Sequence, residues 1–199
     1  MRASAFCFLA CAVALWTSIA SAGVPDPALS SVVVTGQGSP CQFRFRSNGG
    51  MDVMTVRVTV RSVFGPVISC STSVTVTPTN TTLALCSCDG LRRGRYTDAD
   101  GALEVTFARL GGRGSCEVRV TASCSGQIEL ARLPFTFTTA DLDGSCATSN
   151  AVNVVDLGIW AAGLPPDYEV QSDYDCNGAV NVVDLGTWAG GLGVGCASP

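Results

Sequence analysis

The stretch Ala151-Val-Asn-Val-Val-Asp-Leu-Gly-Ile-Trp-Ala-Ala-Gly-Leu164 recurs as Ala179-Val-Asn-Val-Val-Asp-Leu-Gly-Thr-Trp-Ala-Gly-Gly-Leu192, with twelve of fourteen positions identical at an offset of twenty-eight. A repeated unit this short cannot bury an apolar face alone and has to pack against its twin. Within the copies, Leu157, Trp160, Ala161, Leu164 and Leu185, Trp188, Ala189, Leu192 follow the spacing i, i+3, i+4, i+7. That spacing predicts one apolar stripe on each of two short helices, ending at Gly163 and at Gly190-Gly191. The two tryptophans read as packing between the halves rather than as a sugar-stacking surface.

Ahead of the second copy, Asp173, Asp175, Asn177, Asn181 and Asp184 place side-chain oxygens at positions one, three, five, nine and twelve of a loop, with Gly178 at position six. Calcium takes about six to eight hard oxygen ligands in a flexible cage, the loop glycine permits the sharp turn, and the position-seven carbonyl, here Ala179, completes the set. Position twelve is Asp184 where Glu is usual, so a shorter side chain has to sit closer. In the first copy Asp141 and Asp143 stand four residues further from Asn153 and Asp156 than their counterparts do in the second. Asp141, Asp143, the Ala151 carbonyl, Asn153 and Asp156 are the expected ligands there, with Ser145, Ser149 or Asn150 filling the fifth position of a distorted and weaker site.

Charge divides the chain. Residues 24–140 hold eleven Arg against eight acidic residues, whereas residues 141–199 hold eight acidic residues and no base. So acidic a tail disfavours nucleic acid and anionic membrane surfaces, and invites cations. The chain has no His and no Lys, which removes the commonest general base and the Schiff-base amine. No Gly-x-Ser-x-Gly elbow occurs, and Asp52, Asp89, Asp98, Asp100, Glu104, Glu117 and Glu129 fall beside turns or on polar strand faces. The expectation is a non-catalytic protein. The alternative is implied by the resemblance of residues 140–192 to dockerins, which polysaccharide-degrading hydrolases commonly carry: a component of extracellular polysaccharide degradation that binds carbohydrate or hydrolyses it with paired carboxylates. Residues 24–140 contain no Trp to serve as a sugar platform.

The first 22 residues have the layout of a secretory signal peptide: Met1-Arg2, an apolar run from Ala3 to Trp16, and Ala20-Ser21-Ala22 before Gly23. The run is shorter than the roughly 20 residues a membrane span needs. A lipoprotein-like box, Phe8-Leu9-Ala10-Cys11, would leave almost no apolar stretch ahead of its cut. The expected location is outside the cell, secreted or on a bacterial surface. Nine of the eleven cysteines follow residue 22, at 41, 70, 86, 88, 116, 124, 146, 176 and 196. In an exported chain they read as disulfides, up to three before residue 125, then one bridge and an odd thiol.

Between residues 24 and 139 the pattern has period two, with Val56, Val58 and Val60 alternating with Arg57, Thr59 and Arg61, and Val74 and Val76 with Thr75 and Thr77. Further strands are predicted over 31–35, 42–46, 82–86, 102–108, 116–124 and 127–137. Cys116, Val118, Val120, Ala122 and Cys124 share one parity, which aims both cysteines at the core. Seven or eight short strands separated by turn signals such as Asp89-Gly90 and Asp100-Gly101 suggest a mainly β chain and a β-sandwich. Asp98 and Asp100 read either as an Asp-Gly turn or as a fragment of a cation site. Through Thr97-Asp98-Ala99-Asp100-Gly101 and the alternating strand into Phe107, this region resembles bacterial immunoglobulin-like domains.

Residues 140–192 resemble dockerins, duplicated loop-helix calcium modules that dock their carriers onto cohesin domains. Asp at position twelve, one helix after each loop and two near-symmetric copies carry the likeness. The division expected is a signal peptide (1–22), an immunoglobulin-like sandwich (24–139) and a dockerin-like module (140–199). The resemblance implies bound Ca2+, a cohesin-type partner, and contact pairs at Val154-Val155 and Val182-Val183, although the basic residues that often flank such pairs are absent. The same valines could instead fill the small core. Ends of such a module approach each other, so Cys146 pairs either with Cys196 or with Cys176. Zinc is not expected, since these cysteines are not closely spaced and no His accompanies them.

Overall fold

In the computed structural model the described residues are 23–34, 43–44, 53–79, 86–87, 90–108, 110–144, 152–169, 172–175 and 177–193. The signal peptide, Ala151, the fifth-position candidates of loop one (Ser145, Ser149, Asn150) and Cys41, Cys88, Cys146, Cys176 and Cys196 lie outside them. The strands are β1 (Ser31–Val34), β2 (Phe43–Arg44), β3 (Val53–Thr59), β4 (Arg61–Ser62), β5 (Gly65–Pro66), β6 (Ser71–Pro78), β7 (Cys86–Ser87), β8 (Arg92–Tyr96), β9 (Ala102–Ala108), β10 (Leu110–Gly111), β11 (Arg113–Ala122) and β12 (Ile128–Thr138). Two helices follow, α1 (Val154–Ala161) and α2 (Val182–Ala189). The chain is mainly β, and its sheets are antiparallel apart from the short parallel pairing of β2 with β12.

Alternation decides which strands pair and what they bury. A three-stranded sheet runs β1-β3-β9 and a five-stranded sheet β2-β12-β11-β6-β8. Met54, Val56 and Val58 of β3 and Val105 and Phe107 of β9 share one buried cluster with Val74 and Val76 of β6 and Val118 and Val120 of β11. Their partners in the alternation, Arg57 and Arg119, are exposed. Each fully buried Val contributes on the order of 2 kcal/mol by leaving water, so this shared cluster is the main cohesive force between the sheets. The edge strand β8 escaped the sequence reading because Arg92, Arg95 and Tyr96 are exposed and show no apolar alternation. Charge on an edge strand is a common device against edge-to-edge association.

The Asp98 turn is a turn. Asp98 Oδ1 accepts from the Asp100 and Ala102 amides at 2.9 and 2.8 Å, and Gly101 takes φ +72°, where a Cβ would meet Val60 O at 2.5 Å. Cys70 and Cys124 are disulfide-bonded just outside the paired ends of β6 and β11. Cys116, aimed inward as its parity required, is a free buried thiol that burial pushes up to about 12. It does not join a bridge, so the first part forms fewer than the upper limit of three bridges its six cysteines allow.

The first buried cluster ends at Phe137 and the second begins at Ala140. Between them Thr139 is buried, its Oγ1 2.8 Å from Gly112 O and 2.7 Å from Asp141 O, while Gly112 N donates to Asp141 O at 2.6 Å. Arg113 of β11 pairs with Glu169 at 3.2 Å. The loops and helices are thus moored to the end of β11.

The Cys70–Cys124 bridge closes 54 residues, and removing it (Cys70→Ala with Cys124→Ala) is expected to lower stability by about 4 kcal/mol in a denaturant titration, chiefly by releasing entropy to the unfolded chain. An unchanged midpoint would contradict that role.

Candidate metal centre

Each helix starts with the same local device. Asn153 Oδ1 accepts from Val155 N at 2.8 Å while Asp156 Oδ2 accepts from Asn153 N at 2.8 Å. Asn181 and Asp184 do the same, at 2.8 Å to Val183 N and 2.9 Å from Asn181 N. These reciprocal capping boxes satisfy helix-terminal amides and put a carboxylate at the positive end of each helix dipole. The position-nine asparagines, expected as ligands, therefore have their Oδ1 atoms on helix caps. The Asn-x-x-Asp spacing carried that signal, and the sequence reading missed it.

The other carboxylate oxygens gather. In loop two, Asp173, Asp175 and Asp184 offer oxygens all within 4.8 Å of one another, with Asp173 and Asp184 buried and Asp175 exposed. Asp184 Oδ1 accepts from Tyr174 N and Asp175 N at 2.5 and 3.0 Å, which folds the loop over the helix start. Asp173 accepts from Asn177 N at 3.2 Å and, through Oδ2, from Gly178 N at 2.9 Å and the Tyr168 hydroxyl at 2.8 Å. Gly178 takes φ +87°, the left-handed turn that its loop position demands. Asn177 stands at the rim, its Nδ2 on Asp175 Oδ2 at 2.8 Å and its Oδ1 taking Ala179 N at 2.9 Å. The Ala179 carbonyl accepts from Asn181 Nδ2 at 3.1 Å.

In loop one, Asp141, Asp143 and Asp156 meet the same 4.8 Å condition despite the longer connection between them. Asp143 N donates to Asp156 Oδ1 at 3.0 Å and Gly144 N to Asp141 Oδ1 at 3.0 Å. Asp141 Oδ2 is buried and has no hydrogen-bond partner among the described residues. Burial, followed by the neighbouring Asp143 and Asp156 carboxylates, pushes Asp141 up to about 7, and burial raises Asp156 in the same direction.

Three carboxylates at this spacing repel by on the order of 3 kcal/mol per ionised pair at an effective dielectric near 20. Backbone amides offset part of that repulsion, and a proton or a cation would relieve the rest. All the clustered donors are carboxylate oxygens, so the residues fit a hard, oxygen-seeking cation.

The expected apolar stripes hold only in part. Trp160 and Trp188 are buried and Leu157 and Leu185 half-buried, but Ala161, Leu164, Ala189 and Leu192 are exposed. The helices stop at Ala161 and Ala189, so the i+7 residue falls past the last turn, and the buried faces run instead through Asp156, Trp160 and Gly163 and through Asp184, Trp188 and Gly191. Val154, Val155, Val182 and Val183 lie on the first helical turns, 75, 53, 77 and 53% exposed. They do not fill the core.

No family model and no curated protein matches the chain. Among solved structures, a GH3 beta-glucosidase from Bifidobacterium adolescentis is similar at a TM-score of 0.27 and 17% identity, covering 74% of this chain and 22% of that one. This chain therefore spans less than a quarter of that protein, and a likeness at that TM-score carries no argument about fold or activity.

The raised Asp141 carboxyl, with Asp156 shifted in the same direction, contributes a pH dependence to the stability of the metal-free chain. The folded state holds that proton more tightly than the unfolded state does, so its stabilising effect is complete below about pH 4 and is lost as pH rises through about 7. With chelator present, thermal unfolding should occur at lower temperature at pH 8 than at pH 5. A saturating divalent cation should reverse that slope, and Asp141→Asn should flatten the metal-free profile. Equal slopes with and without cation would contradict the site.

Proposed function

We propose that residues 140–199 are a calcium-binding docking module of the dockerin kind, on a secreted, non-catalytic chain whose β-rich part is an immunoglobulin-like spacer or adhesive domain. The observation that carries this reading is the pair of carboxylate clusters, one in each copy of the repeat, each closed by the Asp at its helix start. Calcium suits them better than other common cations. Zinc favours His and Cys, and magnesium keeps most of its waters around one or two carboxylates. Residues Asp141, Asp143 and Asp156 would hold one ion, and Asp173, Asp175 and Asp184 the other. Bound calcium would neutralise an acidic segment and supply folding free energy.

The partner reading is supported by the two exposed valine pairs. Val154-Val155 and Val182-Val183 present the same apolar surface twice, at equivalent places in the repeat. A surface duplicated in this way suits a partner of the cohesin type engaged in either of two orientations. Among the described residues no helix is long and apolar enough to cross a membrane.

Calcium added to the chelated chain, read by fluorescence of Trp160 and Trp188, should give a saturable change that chelator reverses and that Asp173→Ala with Asp184→Ala diminishes. A flat signal under both treatments would contradict calcium binding. For docking, replacing one valine pair with Asp should leave binding to a cohesin domain within severalfold of wild type, while replacing both pairs should abolish it with calcium binding intact. Unchanged cohesin binding in the four-valine variant would remove these residues from the interface.

A further inference from the structure

We infer that the two loops are coupled by crossed indole hydrogen bonds, each helix positioning the first ligand of the other loop; this rests on the calcium reading above. Trp160 and Trp188 occupy the same place in the two copies and are each 4% exposed. Trp160 Nε1 donates to Ser172 O at 3.1 Å, and Trp188 Nε1 donates to Ala140 O at 3.1 Å. Ser172 immediately precedes Asp173, and Ala140 immediately precedes Asp141. The carbonyl accepting each bond belongs to the planar peptide that leads into the first-position ligand. Holding that carbonyl fixes the plane from which the ligand side chain departs, as partners beyond the ligands themselves commonly do in metal sites.

The arrangement is reciprocal. Helix α1, whose Asp156 closes loop one, secures the entry to loop two; helix α2, whose Asp184 closes loop two, secures the entry to loop one. Ser172 and Ala140 are buried, at 0 and 2% exposure, so water cannot readily replace the indole donors. Two other contacts cross in the same sense. Gly193 N, just beyond α2, donates to Val152 O ahead of α1 at 3.0 Å. Gly163, just beyond α1, lies so near Ser172 that a Cβ there would sit 2.7 Å from Ser172 Oγ. An ion that orders one helix therefore orders the other loop's entry, so the second ion meets a smaller ordering cost, and the coupling acts equally in both directions. The tryptophans are positioning residues.

The test uses the full chain in two backgrounds. Asp175→Ala removes an exposed ligand of loop two, so calcium calorimetry reads mainly loop one; Asp143→Ala does the converse. With loop two weakened, Trp188→Phe should reduce loop-one affinity about fivefold, the loss expected for one buried hydrogen bond, and Trp160→Phe should reduce it less. With loop one weakened, the order should reverse. If each substitution weakens the loop preceding its own helix, or both loops equally, the crossing is overturned. Because the smaller ring can also unsettle the fold, a second measurement keeps both indoles and follows their N–H resonances by NMR. In Asp175→Ala calcium should move the Trp188 signal more, and in Asp143→Ala the Trp160 signal more; equal or opposite shifts overturn the proposal. A wild-type chain that takes up no calcium would instead overturn the calcium reading itself, a result the control titration separates from failure of the crossing.

Discussion

Two clusters of like charge, each held together by backbone amides, are the constraint on which the C-terminal unit turns. Asp184 is fully buried and accepts from Tyr174, Asp175 and Asn181 amides. Asp156 is equally buried and accepts from Asp143 and Asn153 amides. Each therefore closes a loop and caps a helix at once. Those bonds fix the carboxylates where mutual repulsion is greatest, an arrangement that backbone donors can sustain and that a cation would relieve. The second apolar cluster, built on Trp160, Tyr174 and Trp188, is small, so the loops carry more of the order of this unit than a larger core would leave to them.

The β-rich part is organised differently, by burial on alternating strands, and it reaches the loops at one seam. Tyr174, set between the clustered carboxylates Asp173 and Asp175, donates its hydroxyl to Thr139 O at 2.9 Å. Thr139 and Asp141 in turn lie against Gly112 at the start of β11. An acidic loop is thus tied by a buried side chain to the residue that follows the last strand. Tyr174 connects the loop-two carboxylate cluster physically to the β-rich part.

Much of this was legible in the sequence wherever a pattern was local and strong. The strand over 102–108 was read with its observed bounds because Leu103, Val105 and Phe107 alternate with polar residues. The repeat placed Asp173, Asp175 and Asp184 together, and Asp141, Asp143 and Asp156 as well, despite four additional residues in loop one. What escaped had no local period or needed a third dimension. Arg92–Tyr96 forms an edge strand with nothing apolar to bury, and the helical stripe was overcounted because the helices end before Leu164 and Leu192. The caps on Asn153 and Asn181 were hidden behind their loop positions, while the Trp160 and Trp188 bonds join residues 12 and 48 positions apart.

The central claim is that the repeat folds around two ions, and its most direct test is calorimetric titration of calcium into the chelator-treated chain. Two ions bound per chain, with the weaker event lost in Asp141→Asn, is the predicted result. No saturable heat at millimolar calcium would contradict it.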